Sequence, residues 1–369
     1  MKKIFQGSMI AGLALLGSVL PLQAQDRSAT DQANNIPYGT RAGEFLLLPV
    51  GARATAMGSA FSAAANDISA LFWNPGALAT AGAKGAMVSH LDYVAETTHT
   101  CAGAAFPFAG GERSLGFQVG VFGFDDQPEY TVENPNGTGR SYSVSNSVLG
   151  VTYAQRFNDR FSFGLTGKYI SEDLAGVKGT AFAADFGAHY QTEVGGRPIK
   201  GGFVISNLGG QLKHTGTQLQ QIIPTNNDDL PAGERNIALE TKGWDLPTSF
   251  KIGVAYDVMS AANNRLTLAG EFVQPAANDV SGAFGAEYAM MNLGGSDFGF
   301  ALRGGWNYEP DNDLDVAASS SNGMNNDGLS AGGGISYNIG EQSAIGLDYA
   351  YRDMGLLGAR NMFSLGVRW

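Results

Sequence analysis

From Lys84 to the C-terminus the chain alternates apolar and polar residues with a period of two, and this pattern constrains it more than any other feature. In the run 160–171, Phe161, Phe163, Leu165 and Tyr169 share one face, while Ser162, Gly164, Thr166 and Lys168 share the other. In the run 250–258, Phe250, Ile252, Val254, Tyr256 and Val258 oppose Lys251, Gly253, Ala255 and Asp257. In the run 182–190, Phe182, Phe186 and Tyr190 oppose Asp185 and His189. Alternation this long marks a strand with one oily and one polar face. Fourteen such runs fall near 84–94, 99–108, 113–124, 144–157, 160–171, 180–192, 200–208, 247–258, 264–274, 280–290, 297–307, 328–338, 343–352 and 361–369. A tilted strand of about ten residues crosses the roughly 25–30 Å of hydrocarbon in a bilayer.

The connections carry an independent signal. Every second one is short: 109–112, 158–159, 193–199, 259–263, 291–296 and 339–342. The long ones, 125–143, 209–246 and 309–327, all fall in the other set. Short turns on one side and long loops on the other describe an outer-membrane barrel, and an even strand number returns both barrel termini to the periplasm. Closure also removes sheet edges, which matters in lipid because no water is there to satisfy them. A sandwich of this size would need two domains and a linker, which the chain lacks. A propeller would repeat every forty or so residues, and no such repeat is present. Aromatic residues near strand ends, namely Tyr93, Tyr169, Tyr256, Phe272, Tyr288, Trp306, Tyr351 and Trp369, suit an interfacial girdle. The last strand places Phe363, Leu365, Val367 and the terminal Trp369 on one face, which resembles the insertion signal of such barrels.

Composition fits. Glycine makes up 52 of 369 residues and charged residues only 15%. The net charge of −11 argues against nucleic acid as a partner. A single cysteine, Cys101, excludes an intramolecular disulfide framework. Lys2 and Lys3, the apolar stretch 9–20 and the small residue Ala24 form a signal peptide cut after Ala24. No later apolar run is long enough for a helical span.

Residues 43–79 differ in character. Small residues dominate, and Met57, Phe61, Ala64 and Ile68 recur at helical spacing. Asn66 or Asp67 suits the cap of a short helix ending before the turn Asn74-Pro75-Gly76. Too weakly apolar to cross lipid, the stretch belongs inside the lumen as a plug. The expected fold is therefore all-β: a 14-stranded antiparallel transmembrane β-barrel (84–369) with an N-terminal plug, or hatch (25–83), behind a signal peptide (1–24).

The plug stretch resembles the PorV/PorQ group of FadL-type outer-membrane proteins. The resemblance rests on Gly51-Ala52-Arg53, Met57-Gly58, Ala60-Phe61, Asn66-Asp67 and the run Trp73-Asn74-Pro75-Gly76-Ala77-Leu78-Ala79. Two positions depart from the group's usual pattern: Gly76 follows Asn-Pro where alanine is usual, and Ala56 precedes Met57 where glycine is usual. The resemblance implies two roles. PorV-type proteins serve type IX secretion, binding secreted cargo and delivering it to the surface. FadL-type proteins pass hydrophobic small molecules. The partners implied are outer-membrane lipid, cargo and other secretion components, or alternatively such small molecules.

Charges in a lumen need partners. Lys168, Asp185, His189, Asp257, Glu271, Glu287, Arg303, Asp348 and Arg352 lie on polar strand faces, and Arg53 is expected to pair with one of the carboxylates. Outer-loop apolar patches are Ile222, Ile223, Leu356 and Leu357. No catalytic motif is present, and His90, His99, His189 and His214 lack ligand spacing, so neither an enzyme nor a cofactor is expected. The acidic stretch from Asp311 fails the calcium-loop pattern, with Val316 and Asn322 at the glycine and glutamate positions.

Overall fold

The structure is a computed structural model that describes residues 41–82, 84–225, 233–276, 280–308, 328–340 and 343–369. The signal peptide and the acidic stretch 311–322 lie outside the described residues. Seven strands open the barrel: β1 (Gly85–Asp92), β2 (Thr98–Phe108), β3 (Arg113–Pro128), β4 (Ser141–Arg156), β5 (Phe161–Leu174), β6 (Val177–Val194) and β7 (Arg197–Gly209). Seven complete it: β12 (Ser249–Ser260), β13 (Asn264–Pro275), β14 (Ser281–Met290), β15 (Phe298–Tyr308), β16 (Leu329–Asn338), β17 (Ala344–Asp353) and β18 (Ala359–Arg368). Each pairs antiparallel with its chain neighbour, β7 pairs with β12, and β1 pairs with β18 to close the cylinder. All fourteen alternating runs are strands of this closed barrel.

Alternation fixes the two faces. Outward side chains such as Phe117, Leu149, Leu165, Phe186, Val254, Leu268, Leu347 and Leu365 are exposed, as a lipid-facing band requires. Their neighbours Gln118, Thr166, Asp185, His189, Asp257, Glu271 and Glu287 are buried on the inner face. Phe363, Val367 and Trp369 follow the outward phase. At the turn end the backbone N–H of Trp369 donates to the Lys84 carbonyl (3.0 Å), and the Lys84 ammonium lies 5.5 Å from the Trp369 ring centre.

Three expectations are corrected. The connection 125–143 is partly strand. The ladder continues to Pro128 and restarts at Ser141, so β3, β4 and β6 reach 16, 16 and 18 residues. On β3 the apolar residues stop at Phe124, before Asp125, Asp126 and Gln127, so alternation there stops where the hydrogen-bond ladder does not. The connection 209–246 holds four short strands. Of these, β8 (Gln211–Thr215) pairs with the loop end of β6, and β11 (Trp244–Asp245) pairs with β8. The hairpin of β9 (Gln220–Thr225) and β10 (Gly233–Ala238) forms a separate sheet. These strands are anchored by single apolar residues such as the buried Leu212 and Leu246, too few to give a periodic signal. Finally, Tyr93 is not at the girdle. Its ring meets Phe122 at 6.1 Å and packs inward on the cluster of Ala52, Ala56, Leu91, Ala350 and Met362.

Candidate functional site

Residues 41–82 pack against the inner face of the strands. At the loop end, Ala42 and Phe45 join Ile170, Ala181, Ala183, Leu212 and Leu246 in one apolar cluster. Further on, Met57, Phe61, Ala64, Ile68, Leu71, Trp73 and Leu78 form a second cluster with the wall residues Ala105, Ala154, Ala255, Ala269 and Ala283. The helices are short, Ala52–Ala56, Ala70–Trp73 and Leu78–Ala81. The helical spacing of Met57, Phe61, Ala64 and Ile68 therefore reflects a shared core and no continuous helix. Gly58 (φ 66°) and Ser59 (φ 70°) turn the backbone left-handed immediately after Met57 and end the first helix.

Arg53 leaves that first helix into a network of charges. Its Nε and Nη2 donate to the two Glu287 oxygens at 2.7 and 2.8 Å, a bidentate pair. Its Nη1 donates to Asn66 Oδ1 (2.7 Å) and Asp67 Oδ2 (2.5 Å), and its guanidinium carbon lies 5.3 Å from the Phe61 ring centre. Glu287 also accepts from Arg265 (2.9 Å) and Arg303 (2.8 Å), and Arg303 donates to Asp348 (2.6 Å). One wall carboxylate, 1% exposed, thus gathers three guanidiniums from the inner segment and two strands.

The remaining motif residues sit where segment and wall meet. Gly51 and Ala52 donate their N–H groups to Ser89 Oγ and Ser364 Oγ, and Gly58 donates to Ser330 Oγ. Trp73 Nε1 donates to the Val50 carbonyl (2.7 Å). Asn74, fully buried, donates to the carbonyls of Ser62 (2.8 Å) and Ala188 (3.0 Å) while accepting from Gly76 N, so one amide joins segment to wall and fixes the turn before Pro75. The two departures have local reasons. A Cβ at Gly76 would lie 2.7 Å from the Gly187 carbonyl oxygen, and the Ala56 methyl lies over Gly332.

The other inward residues are distributed around the bore. Lys168 pairs with Asp185 (2.6 Å) and donates to Asn207 (2.9 Å), and Asp185 accepts from Asn207 N where the β6–β7 register shifts. Glu271 accepts from the backbone N–H groups of Phe61 and Ser62 (2.9 and 2.7 Å). Asp257 accepts from Thr267 (2.6 Å) and lies 3.9 Å from Lys200. His189 Nε2 lies 3.2 Å from the Ala63 carbonyl oxygen, and Arg352 follows the inward phase of β17. Sequence reasoning missed Arg265 and Lys200, which share the phase of Thr267 and Glu271, and of Gly202 and Val204, so strict alternation would have found them. Lys251 lies 4.9 Å from the Trp73 ring centre. Leu357 is exposed, whereas the side chains of Ile222, Ile223 and Leu356 lie outside the described residues.

Asp67 supplies a pH dependence. Loss of solvent pushes its pKa up, but the Arg53 charge and the hydroxyl and N–H of Ser69 hold it below its ordinary value. Its contribution to docking is thus complete above the ordinary value of 3.8 and is lost as pH falls through the lower docked value. Protease cleavage within 51–82 of the purified protein is expected to rise on acidification below that point and to respond less in Asp67→Asn. Equal acid responses in the two proteins would remove Asp67 from the latch.

The strands thus form a closed fourteen-stranded barrel around an apolar N-terminal segment. The fold resembles the Pseudomonas putida toluene transporter TodX (TM-score 0.53, 13% identity, 86% of this chain and 96% of that one). It also resembles the Ralstonia pickettii toluene transporter TbuX (0.51, 13%, 86% and 97%) and a FadL homologue from Pseudomonas aeruginosa (0.50, 11%, 87% and 98%). No curated protein sequence matches the chain. The family model for the type IX secretion system protein PorV matches residues 28–279, more than half of the length. The chain belongs to the PorV family and is a bacterial outer-membrane barrel of type IX secretion.

Proposed function

We propose that the protein binds secreted cargo at its loop end and helps deliver it to the cell surface. Family membership over residues 28–279 carries this reading. In it, residues 1–24 are removed after Ala24, residues 25–83 form the hatch, and residues 84–369 form the barrel. The turn end with Lys84 and Trp369 faces the periplasm, and the long loops face outward. Phe363, Leu365, Val367 and Trp369 act as the insertion signal. The role is non-enzymatic, because the lumen charges pair with one another and hold the hatch.

The tall β3–β4 hairpin supports a docking role for this end. Its loop presents Val132 (94% exposed) and Tyr130 (62% exposed), held by the Glu129–Arg140 ion pair. Exposed apolar groups on a projecting loop are what a protein partner would cover. The double variant Tyr130→Ser/Val132→Ser is expected to reach the outer membrane at normal levels and to lower surface display of type IX cargo severalfold. Normal display in a strain lacking the whole chain would overturn the secretion reading.

A second reading, passage of hydrophobic small molecules, is favoured by the register shift at Asp185 beside an apolar cavity. The solved relatives TodX and TbuX are toluene transporters.

A further inference from the structure

The hairpin of β9 and β10 stands apart from the barrel sheet. Among the described residues each strand pairs only with the other, so each has one outer edge without a neighbouring strand. In an antiparallel pair, residues alternate between those that bond across the ladder and those whose N–H and C=O groups point away from it. Two observations fix the phase here. The N–H of Leu239 donates to the Leu219 carbonyl (2.9 Å), one step beyond the facing pair Gln220 and Ala238. The cross-ladder bonds therefore fall on the odd-numbered residues of both strands, and the even-numbered ones turn their main-chain groups outward. Pro224, which has no N–H to give, lies in the outward set, where the ladder loses nothing by it.

The two outer edges then differ. On β9 the outward positions are Gln220, Ile222 and Pro224, so this edge lacks a donor and carries the residue that natural sheets use to stop strand addition. On β10 they are Glu234, Asn236 and Ala238, with no proline among them. Three donors and three acceptors stand in a row there, over about 14 Å at the rise of an extended strand. Such a row is satisfied by water or by another strand. It reads the conformation of a chain before its side chains, so it accepts extended segments of differing sequence. A second copy of this chain is the weaker fit. The connection 209–246 holds five acidic and three basic residues, so two copies joined at this edge would repel.

We propose that the outer edge of β10 captures an extended segment of secreted cargo by strand addition, through main-chain hydrogen bonds at Glu234, Asn236 and Ala238. The proposal rests on the secretion reading and names the way the loop end holds its cargo. Pro224 closes the opposite edge, so the hairpin takes one added strand and does not seed a growing sheet.

The test uses the full-length protein in amphipol and a purified, epitope-tagged type IX cargo of the same host. Asn236→Pro removes the central outward N–H of β10. Asn236→Ala removes the side chain and keeps that N–H. Ile222→Pro makes the same backbone change on the β9 edge and controls for strain in the hairpin. All three are checked for barrel folding by their heat-dependent gel shift. Asn236→Pro is expected to weaken cargo binding about fivefold, the effect of one main-chain hydrogen bond. Asn236→Ala and Ile222→Pro are expected to bind as the unaltered protein does. Unchanged binding in Asn236→Pro, equal loss in the two proline variants, or equal loss in Asn236→Ala and Asn236→Pro would each overturn the proposal. A photoreactive residue at position 236 is expected to crosslink to the tagged cargo. Crosslinks confined to a second copy, or to this chain itself, would also overturn it. The two readings fail separately: normal cargo display in a strain lacking the chain removes the secretion reading, whereas display lost there but kept in Asn236→Pro cells removes strand addition alone.

Discussion

Glu287→Gln is expected to release residues 41–82 from the wall while leaving the barrel closed. Glu287 is the meeting point of Arg53, Arg265 and Arg303 and is 1% exposed. A glutamine keeps the shape but removes the charge, and its amide N–H groups point at guanidiniums that can only donate. Arg303 retains Asp348, and Arg53 retains Asp67 and Asn66, so the loss falls mainly on the shared centre. Removing one partner of a buried ion pair costs about 3–5 kcal/mol. The barrel ladder is untouched, so the heat-dependent gel shift should persist. Protease cleavage within 51–82 and hydrogen exchange at Ala52 and Gly58 should both increase by orders of magnitude. Adding Arg53→Gln to Glu287→Gln should recover part of the loss, since it removes one of the stranded cations. Unchanged protection in the single variant would show that apolar packing alone seats the segment.

This dependence on one carboxylate explains what was legible in the sequence. A barrel wall repeats the same instruction in every strand, so fourteen alternating runs announce fourteen strands even where single residues mislead. Phase alone also separates inward residues from outward ones, as for Glu271 against Leu268. Pairing within the bore is another matter. Arg265, Glu287 and Arg303 come from the adjacent strands β13, β14 and β15 and are brought together by hairpin register, with Glu287 opposite Arg303, whereas Arg53, 234 residues from Glu287, joins them only because the inner segment is seated against that wall, which no local pattern encodes. The inner segment was legible as a motif and illegible as a conformation. Its apolar spacing imitates a helix, but the left-handed backbone at Gly58 and Ser59 breaks it into turns, and small residues there answer to wall contacts. The strands of the long connection were hidden for a simpler reason. Surrounded by water on most sides, β8 and β11 need only Leu212 and Leu246 to anchor them.

Gly58→Val should unseat the same segment by a different route. At φ 66° a β-branched residue is strained, at roughly 1–2 kcal/mol. The steric demand adds to this: a Cβ at Gly58 would lie 2.5 Å from Trp306 N and 2.8 Å from the Phe284 carbonyl oxygen, both in the β-ladder. Backbone in a paired strand cannot rotate away as a side chain can, so the segment must move, at a further ~1–3 kcal/mol. The hydrogen bond from Gly58 N to Ser330 Oγ (3.0 Å) would be lost with it. Gly110→Val separates the two contributions. Gly110 has nearly the same φ, 70°, yet nothing lies within 4 Å of its Cβ position, so it reports strain without collision. If collision with the wall dominates, Gly58→Val exposes residues 51–82 to protease at physiological temperature, while Gly110→Val only lowers the unfolding midpoint slightly. If the two variants behave alike, the segment tolerates displacement from β15, and the close approach at Gly58 does not determine its seating.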